Sequence, residues 1–185
     1  MGPEAIETRA SQVATEAIAG YVDVVDGREA AGIARIQRAW DDTGGTDAAP
    51  GVRACVLRVL LEACALAGND QAGLAAAERA IEMGGAARIW EAEARRRRAE
   101  LLATLGTPAP EIEAELACAL AVARRQGATS LELRAATSLL RLRQKRGDGP
   151  DTSQARASLA ALVAAIAEGG ETEDLRAATS LLGDS

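Results

Sequence analysis

The sequence predicts an all-α fold, a stack of helical hairpins with about nine helices. Three observations carry this reading. The eight residues LRAATSLL occur twice, at 133–140 and at 175–182, offset by 42 positions. Glycines suited to stopping a helix recur at Gly27, Gly68, Gly106 and Gly147, at spacings of 41, 38 and 41, each followed by turn residues and a second apolar-periodic segment. Finally, Ala fills 44 of the 185 positions and Leu 20, while Phe is absent and only Tyr21, Trp40 and Trp90 are aromatic. Such a composition suits helices packed closely through small side chains.

The helices are expected at 4–24, 28–43, 50–67, 70–83, 88–105, 110–126, 130–146, 153–168 and 172–182. Gly27 ends the first, and Gly44 with Gly45 the second. Gly68 ends the third, and Gly84 with Gly85 the fourth. Gly106 ends the fifth, while Pro108 and Pro110 sit in the turn or first helical turn that follows. Thr129 or Ser130 caps the seventh helix, and Glu132 favours its positive start. Gly147 and Pro150 separate the seventh from the eighth, which Gly169 and Gly170 stop. Glu171 to Asp174 favour the start of the last helix. One domain, 1–185, then contains units at about 4–44, 50–84, 88–127 and 130–169 and a capping helix at 172–182.

Aligned on the turns, the second helices give columns at Gly32, Gly73, Ile112 and Ala155; at Ile36, Ala77, Leu116 and Leu159; and at Ala39, Ala80, Ala119 and Leu162. Offsets of four and three place all three columns on one helical face. Small residues there let the paired helix approach closely, and the middle column fills the gap.

Composition also limits the chemistry. With no His, Ser-His-Asp and Cys-His pairs, His-bearing zinc sites and imidazole acid/base catalysis are excluded. The net charge of −6 argues against general nucleic-acid affinity, although residues 95–146 carry 11 basic and 5 acidic side chains between acidic flanks. Three cysteines make a disulfide framework unexpected, and Cys55 and Cys64 point to opposite helix faces, so each Cys reads as a small buried hydrophobe in a reduced, cytoplasmic protein. The N-terminus lacks the pattern of a signal peptide or a myristoylation site. The longest apolar stretch, 159–167, is about half of a membrane span.

Candidate polar groups read mostly as solvated surface. Arg95 to Arg98 spread around a helix, with Arg96 facing away from the apolar stripe and Arg98 toward it, where it must snorkel or find an acid. Glu91 with Arg95, Glu93 with Arg97 and Arg96 with Glu100 are helical neighbours, a solubility feature. An anion-bearing partner for the arginines is the alternative. Asp41, Asp42 and Asp47 surround a Gly-rich loop without EF-hand spacing, so a solvated loop is expected rather than calcium. Glu111, Glu113 and Glu115 alternate and cannot share one face; they read as an exposed helix start. Trp40 and Trp90 read as packing anchors between hairpins or, alternatively, the walls of a ligand cavity.

The pattern of a small residue, a larger apolar one four on and Ala three further resembles tetratricopeptide repeats, here near 40 residues long. That resemblance implies a right-handed superhelical solenoid. IEAELACALAVARRQGATSLELRAATSLLRL (112–142) and QARASLAALVAAIAEGGETEDLRAATSLL (154–182) further resemble the C-terminal helical-repeat region of bacterial signalling ATPases of the STAND and AAA type, often joined to class III adenylate/guanylate cyclase or LuxR-type domains. The ATPase residues themselves do not carry over, because Lys145 is followed by Arg146 and not by Ser or Thr.

In the tetratricopeptide pattern the first helix of each hairpin lines the inner wall. Carried over from each turn glycine, the inward candidates are Arg58 and Glu62; Glu93, Arg96 and Glu100; and Arg134, Thr137, Arg141 and Gln144. The resemblance implies a non-enzymatic interaction or sensor module in bacterial signal transduction, with no cofactor or metal. Its partner is a protein or peptide, or the ATPase or cyclase domain of a parent protein, with no nucleic acid or membrane. The bland alternative is that these charges pair with each other and bind nothing. A small-molecule sensor with a cavity between hairpins near Trp40 and Trp90 is the other. The apolar side of the last helix, including Leu175, Leu181 and Leu182, either caps the stack or meets another copy in a homodimer.

Overall fold

The computed structural model describes residues 3–43, 50–83, 85–147, 149–166 and 172–183. Among them the fold is all-α: α1 (Pro3–Val25), α2 (Glu29–Asp42), α3 (Pro50–Leu66), α4 (Asp70–Glu82), a 3-10 segment (Gly85–Trp90), α5 (Glu91–Thr104), α6 (Ala109–Gln126), α7 (Thr129–Arg146), α8 (Pro150–Ala165) and α9 (Glu173–Gly183). No described helix is long and apolar enough to cross a membrane.

Turn chemistry sets most boundaries. At Gly27, Gly68, Gly106 and Gly127 the backbone takes a positive φ of 62° to 82°. The next amide then donates back across the turn, Arg28 to Asp23, Asn69 to Cys64, Thr107 to Leu102 and Ala128 to Ala123, at 2.8 to 3.0 Å. This six-to-one bond satisfies a carbonyl that the helix end would leave unpaired. Gly127 thus stops α6 where the sequence reading marked no stop residue. Gly147, at φ 114° and ψ 167°, ends α7 outside the left-handed helical well. Gly44, Gly45, Gly84, Gly169, Gly170 and Glu171 lie outside the described residues, and Gly85 opens the 3-10 segment.

Three boundaries differ from expectation. The α-helical part of the fifth helix starts at Glu91, because residues 85–90 wind as 3-10. The eighth helix starts at Pro150, whose fixed φ suits the first helical position, and ends at Ala165, after which Ile166 is extended. Neither Thr129 nor Ser130 caps α7; Ala128 holds that position without a side-chain bond. Side-chain caps are instead found at Asn69, which accepts from the Ala72 amide at 3.2 Å, and at Thr172, which accepts from the Leu175 amide at 3.3 Å.

Helices adjacent in sequence pack on one another throughout. In addition α1 touches α3, α5 touches α7, α7 touches α9, and α3 meets the 3-10 segment. The column residues of the second helices face this packing: Gly32, Gly73, Ile112 and Ala155 are buried, as are Ile36, Ala77, Leu116 and Leu159, whereas Ala80 and Leu162 are half-buried. Apolar burial forms two main clusters. One joins α1 to α4 around Ile36, Leu57 and Leu60, and the other joins α5 to α9 around Leu116, Leu140 and Leu159. Leu175 is buried in the second cluster, and Leu181 and Leu182 pack against it, so these leucines face the chain's own core.

Both tryptophans sit between hairpins. Trp40 of α2 packs against the first cluster under the Arg53 guanidinium of α3, 4.7 Å from its ring centre, and Trp90 lies under Arg58 at 5.5 Å. The space beside Trp90 is about 20 Å³, room for about one water molecule.

The cysteines divide by environment. Cys64 is fully buried and burial pushes its thiol up to about 11, Cys55 is half-buried, and Cys118, expected inside, is exposed on α6. Its position on α6 falls between the buried Leu116 and Ala119 in sequence but on the outer side of the helix. A thiol reagent at pH 8 should therefore modify Cys118 fast and Cys64 only after denaturant is added, because the thiolate is the reactive form. Mass mapping of the labelled peptides checks this; equal rates at the two sites would refute it.

Candidate functional site

The four arginines Arg95 to Arg98 are half-buried, and each is paired with acids, some of them shared. Arg95 bonds Glu91 at 3.1 Å and Glu115 of α6 at 3.3 Å. Arg96 bonds Glu93 at 2.6 Å and also pairs with Glu100. Arg97 reaches Glu62 of α3 at 2.7 Å, and Arg98 reaches Glu78 of α4 and Glu115 of α6, each at 3.4 Å. Because consecutive residues of a helix step by about 100°, the four adjacent guanidinia spread to acids on α3, α4 and α6 as well as on α5 itself. The solubility reading is thereby corrected: within-helix pairs exist, but bonds between helices accompany them. Arg98 finds two acids, as its position required.

Glu113 and Glu115 also depart from an exposed helix start. Glu113 accepts from Arg143 and, at 2.9 Å, from Arg146 of α7, whereas Glu115 faces α5. Two residues apart on a helix, they point in nearly opposite directions and so serve opposite neighbours. Glu111 is exposed, as expected. Asp41 and Asp42 end α2, and Asp47 lies outside the described residues. Among the described residues no cluster of His, Cys, Asp or Glu could hold a metal ion.

Six of the nine inward candidates share one groove of about 350 Å³ lined by α3, α5, α7 and α9: Glu62, Glu93, Arg96, Arg134, Thr137 and Arg141. Glu93 is its most buried charge, 7% exposed. Its carboxylate accepts from Arg96 Nη2 at 2.6 Å and Nε at 2.9 Å, with Arg97 and Arg134 nitrogens at 3.8 Å. Burial pushes the Glu93 carboxyl up, but the Arg96 hydrogen bonds and the charges of Arg96, Arg134 and Arg97 outweigh this and hold it below the usual carboxylate range. Burial likewise opposes the Arg96 charge, and the hydrogen bond to Glu93 together with the charges of Glu93, Glu100 and Glu62 more than compensates.

Most of the groove's charges are already engaged. Arg134 bonds Asp174 of α9 at 2.6 Å, and Ser138 donates to Glu100 at 3.0 Å. Thr137 donates its hydroxyl to the Leu133 carbonyl of its own helix at 2.8 Å. Thr179, which stands in the second copy of LRAATSLL where Thr137 stands in the first, donates to Leu175 at the same 2.8 Å. Arg141 and Glu173 line the groove, are exposed, and have no ion-pair partner among the described residues.

Three candidates lie apart or differ. Arg58 stacks on Trp90 and does not line this groove; Glu100 lines a neighbouring one; Gln144 is half-buried, its carbonyl accepting the Gly147 amide at 3.1 Å. Sequence reasoning missed Glu173 and Asp174. The repeated octapeptide held the signal, since Asp174 precedes the second copy as Glu132 precedes the first. No family model matches the chain, and no curated protein matches it.

Proposed function

We propose that the chain is a non-catalytic interaction or sensor module, a tetratricopeptide-like solenoid that engages a protein or peptide partner, or another domain of a bacterial signalling regulator, through the groove along α5, α7 and α9. The observation that carries this reading is the groove's two classes of charge. Glu93, Arg134 and Asp174 link α5, α7 and α9, with Arg96 held on Glu93, whereas Arg141 and Glu173 are exposed and have no ion-pair partner among the described residues. Exposed charges of both signs along one groove suit a partner of complementary mixed charge, held with strong salt dependence.

Arg141 is the residue to reverse, because a glutamate at Arg96 would meet Glu93 in a buried site and compromise the fold itself. Arg141→Glu and Glu173→Arg should each weaken capture of an identified partner about tenfold, and raising salt from about 0.05 to 0.3 M should weaken the wild-type complex as well. Circular dichroism should be unchanged in both variants. Capture indifferent to both reversals and to salt would refute the groove.

A further inference from the structure

A second groove, of about 510 Å³, opens between the end of α5, the start of α6 and the second half of α7. Its floor is apolar, built from Ala99, Ile112 and Leu116, with Leu142 and the exposed Ala103 as walls. The polar groups on those walls are spent within the protein. Thr104 donates to the Glu100 carbonyl at 3.2 Å, Ser138 donates to the Glu100 carboxylate at 3.0 Å, and Glu100 also takes Arg96 and Arg97.

The mouth is different. Arg141 and Lys145 stand one helical turn apart, both exposed, and neither has an acidic partner among the described residues. Arg143, between them in sequence, shows the contrast, since it is bonded to Glu113 and, at 2.8 Å, to the Asp151 carbonyl. Two like charges at this spacing repel, and one anion between them relieves both.

We propose that this groove binds an aliphatic carboxylate, with its alkyl tail along Ala103, Leu142 and the Ile112–Leu116 floor and its headgroup between Arg141 and Lys145. The volume falls within the range of about 300 to 1,000 Å³ typical of small-molecule sites, which are mostly apolar with a few placed polar groups. With no uncommitted hydrogen-bonding side chain on the floor, a sugar or nucleotide would lose hydration there without replacement. The two grooves share Arg141, so the tests rest on Lys145 and Ala103, which do not line the charged groove and keep the two readings apart.

Octanoate titrated into the isotope-labelled chain tests it by amide chemical shifts. Saturable shifts in the millimolar range should centre on the end of α5, the start of α6 and 138–145. Each methylene removed from the tail should weaken binding up to about fourfold, so that acetate fails to bind. Octylamine, with a comparable tail and the opposite headgroup charge, should not compete. Lys145→Ala should weaken octanoate about tenfold, and Ala103→Trp, which fills the groove from an exposed position, should remove binding. Absence of saturable shifts, equal binding of octylamine, or octanoate affinity unchanged in Lys145→Ala with the fold intact would each overturn the proposal.

Discussion

Replacing Gly32 with Ala should destabilise the protein by about 2 kcal/mol or more, whereas the same change at Gly73 should be neutral or stabilising by up to about 1 kcal/mol. Both glycines occupy one column of the second helices and both are buried. They differ in what a methyl group would meet. At Gly32 a Cβ would lie 2.4 Å from the Gly20 carbonyl oxygen, 2.6 Å from Val24 Cγ2 and 2.9 Å from the Val24 amide nitrogen. Backbone atoms cannot swing aside, so α1 and α2 would have to separate. At Gly73 the nearest atoms are Leu101 Cδ1 at 3.3 Å and Cys64 Cβ at 3.4 Å. The end of the half-buried Leu101 side chain can shift by the few tenths of an ångström required, and Ala gains about 1 kcal/mol of helix propensity over Gly. Gly20→Ala should resemble Gly32→Ala, because its Cβ would lie 2.8 Å from the Gly32 carbonyl oxygen. Thermal unfolding decides the matter: about 4 to 8 °C should be lost at Gly32 and little or nothing at Gly73. Equal shifts at the two positions would contradict the close crossing of α1 and α2.

The second large effect belongs to the Glu93–Arg96 pair. Glu93→Ala should cost about 2 to 3 kcal/mol, somewhat under the range for breaking a fully buried pair, because Arg96 retains Glu100. Replacing both partners at once, with Glu93→Leu and Arg96→Met, should recover much of that loss, since no unpaired charge then stays inside. The pair also sets a pH dependence. The folded Glu93 carboxyl lies below its ordinary value of 4.5, so the stability it contributes is fully present above pH 4.5 and is lost as pH falls through the lower folded value. Glu16 and Asp23 are shifted the same way, each by hydrogen bonds from an arginine, Arg35 and Arg28 first in each case. Acid unfolding of the wild type therefore draws on several carboxylates. Glu93→Gln should flatten the slope below pH 4.5 without abolishing it. A slope identical to wild type would mean that Glu93 is not held ionised by Arg96.

These two sites differ in how much the sequence disclosed. The column containing Gly32 and Gly73 was readable from spacing, and all four of its members are buried. That Gly32 touches backbone while Gly73 touches a leucine tip was not readable, because it depends on how α1 crosses α2 and where Leu101 of the next hairpin arrives. The inward positions followed from the resemblance to tetratricopeptide repeats, and six of them do meet in one groove. Which were engaged and which were open did not follow. Arg96 and Arg141 look alike as exposed arginines on first helices, yet Arg96 is locked between two glutamates and Arg141 faces solvent.

Helix extents, the glycine turns and the buried columns were fixed by the chain's own local order, since a helical period, a left-handed glycine and a proline ring act over only a few residues. Ion pairing between helices was decided by tertiary structure. The partners of Arg97, Arg98, Arg134 and Arg143 stand 35, 20, 40 and 30 residues away, on neighbouring hairpins or the facing helix of the next. Charge attraction carries no address along a sequence, and only the rotation and register of packed helices bring one guanidinium, among several equally eligible, within reach of one carboxylate.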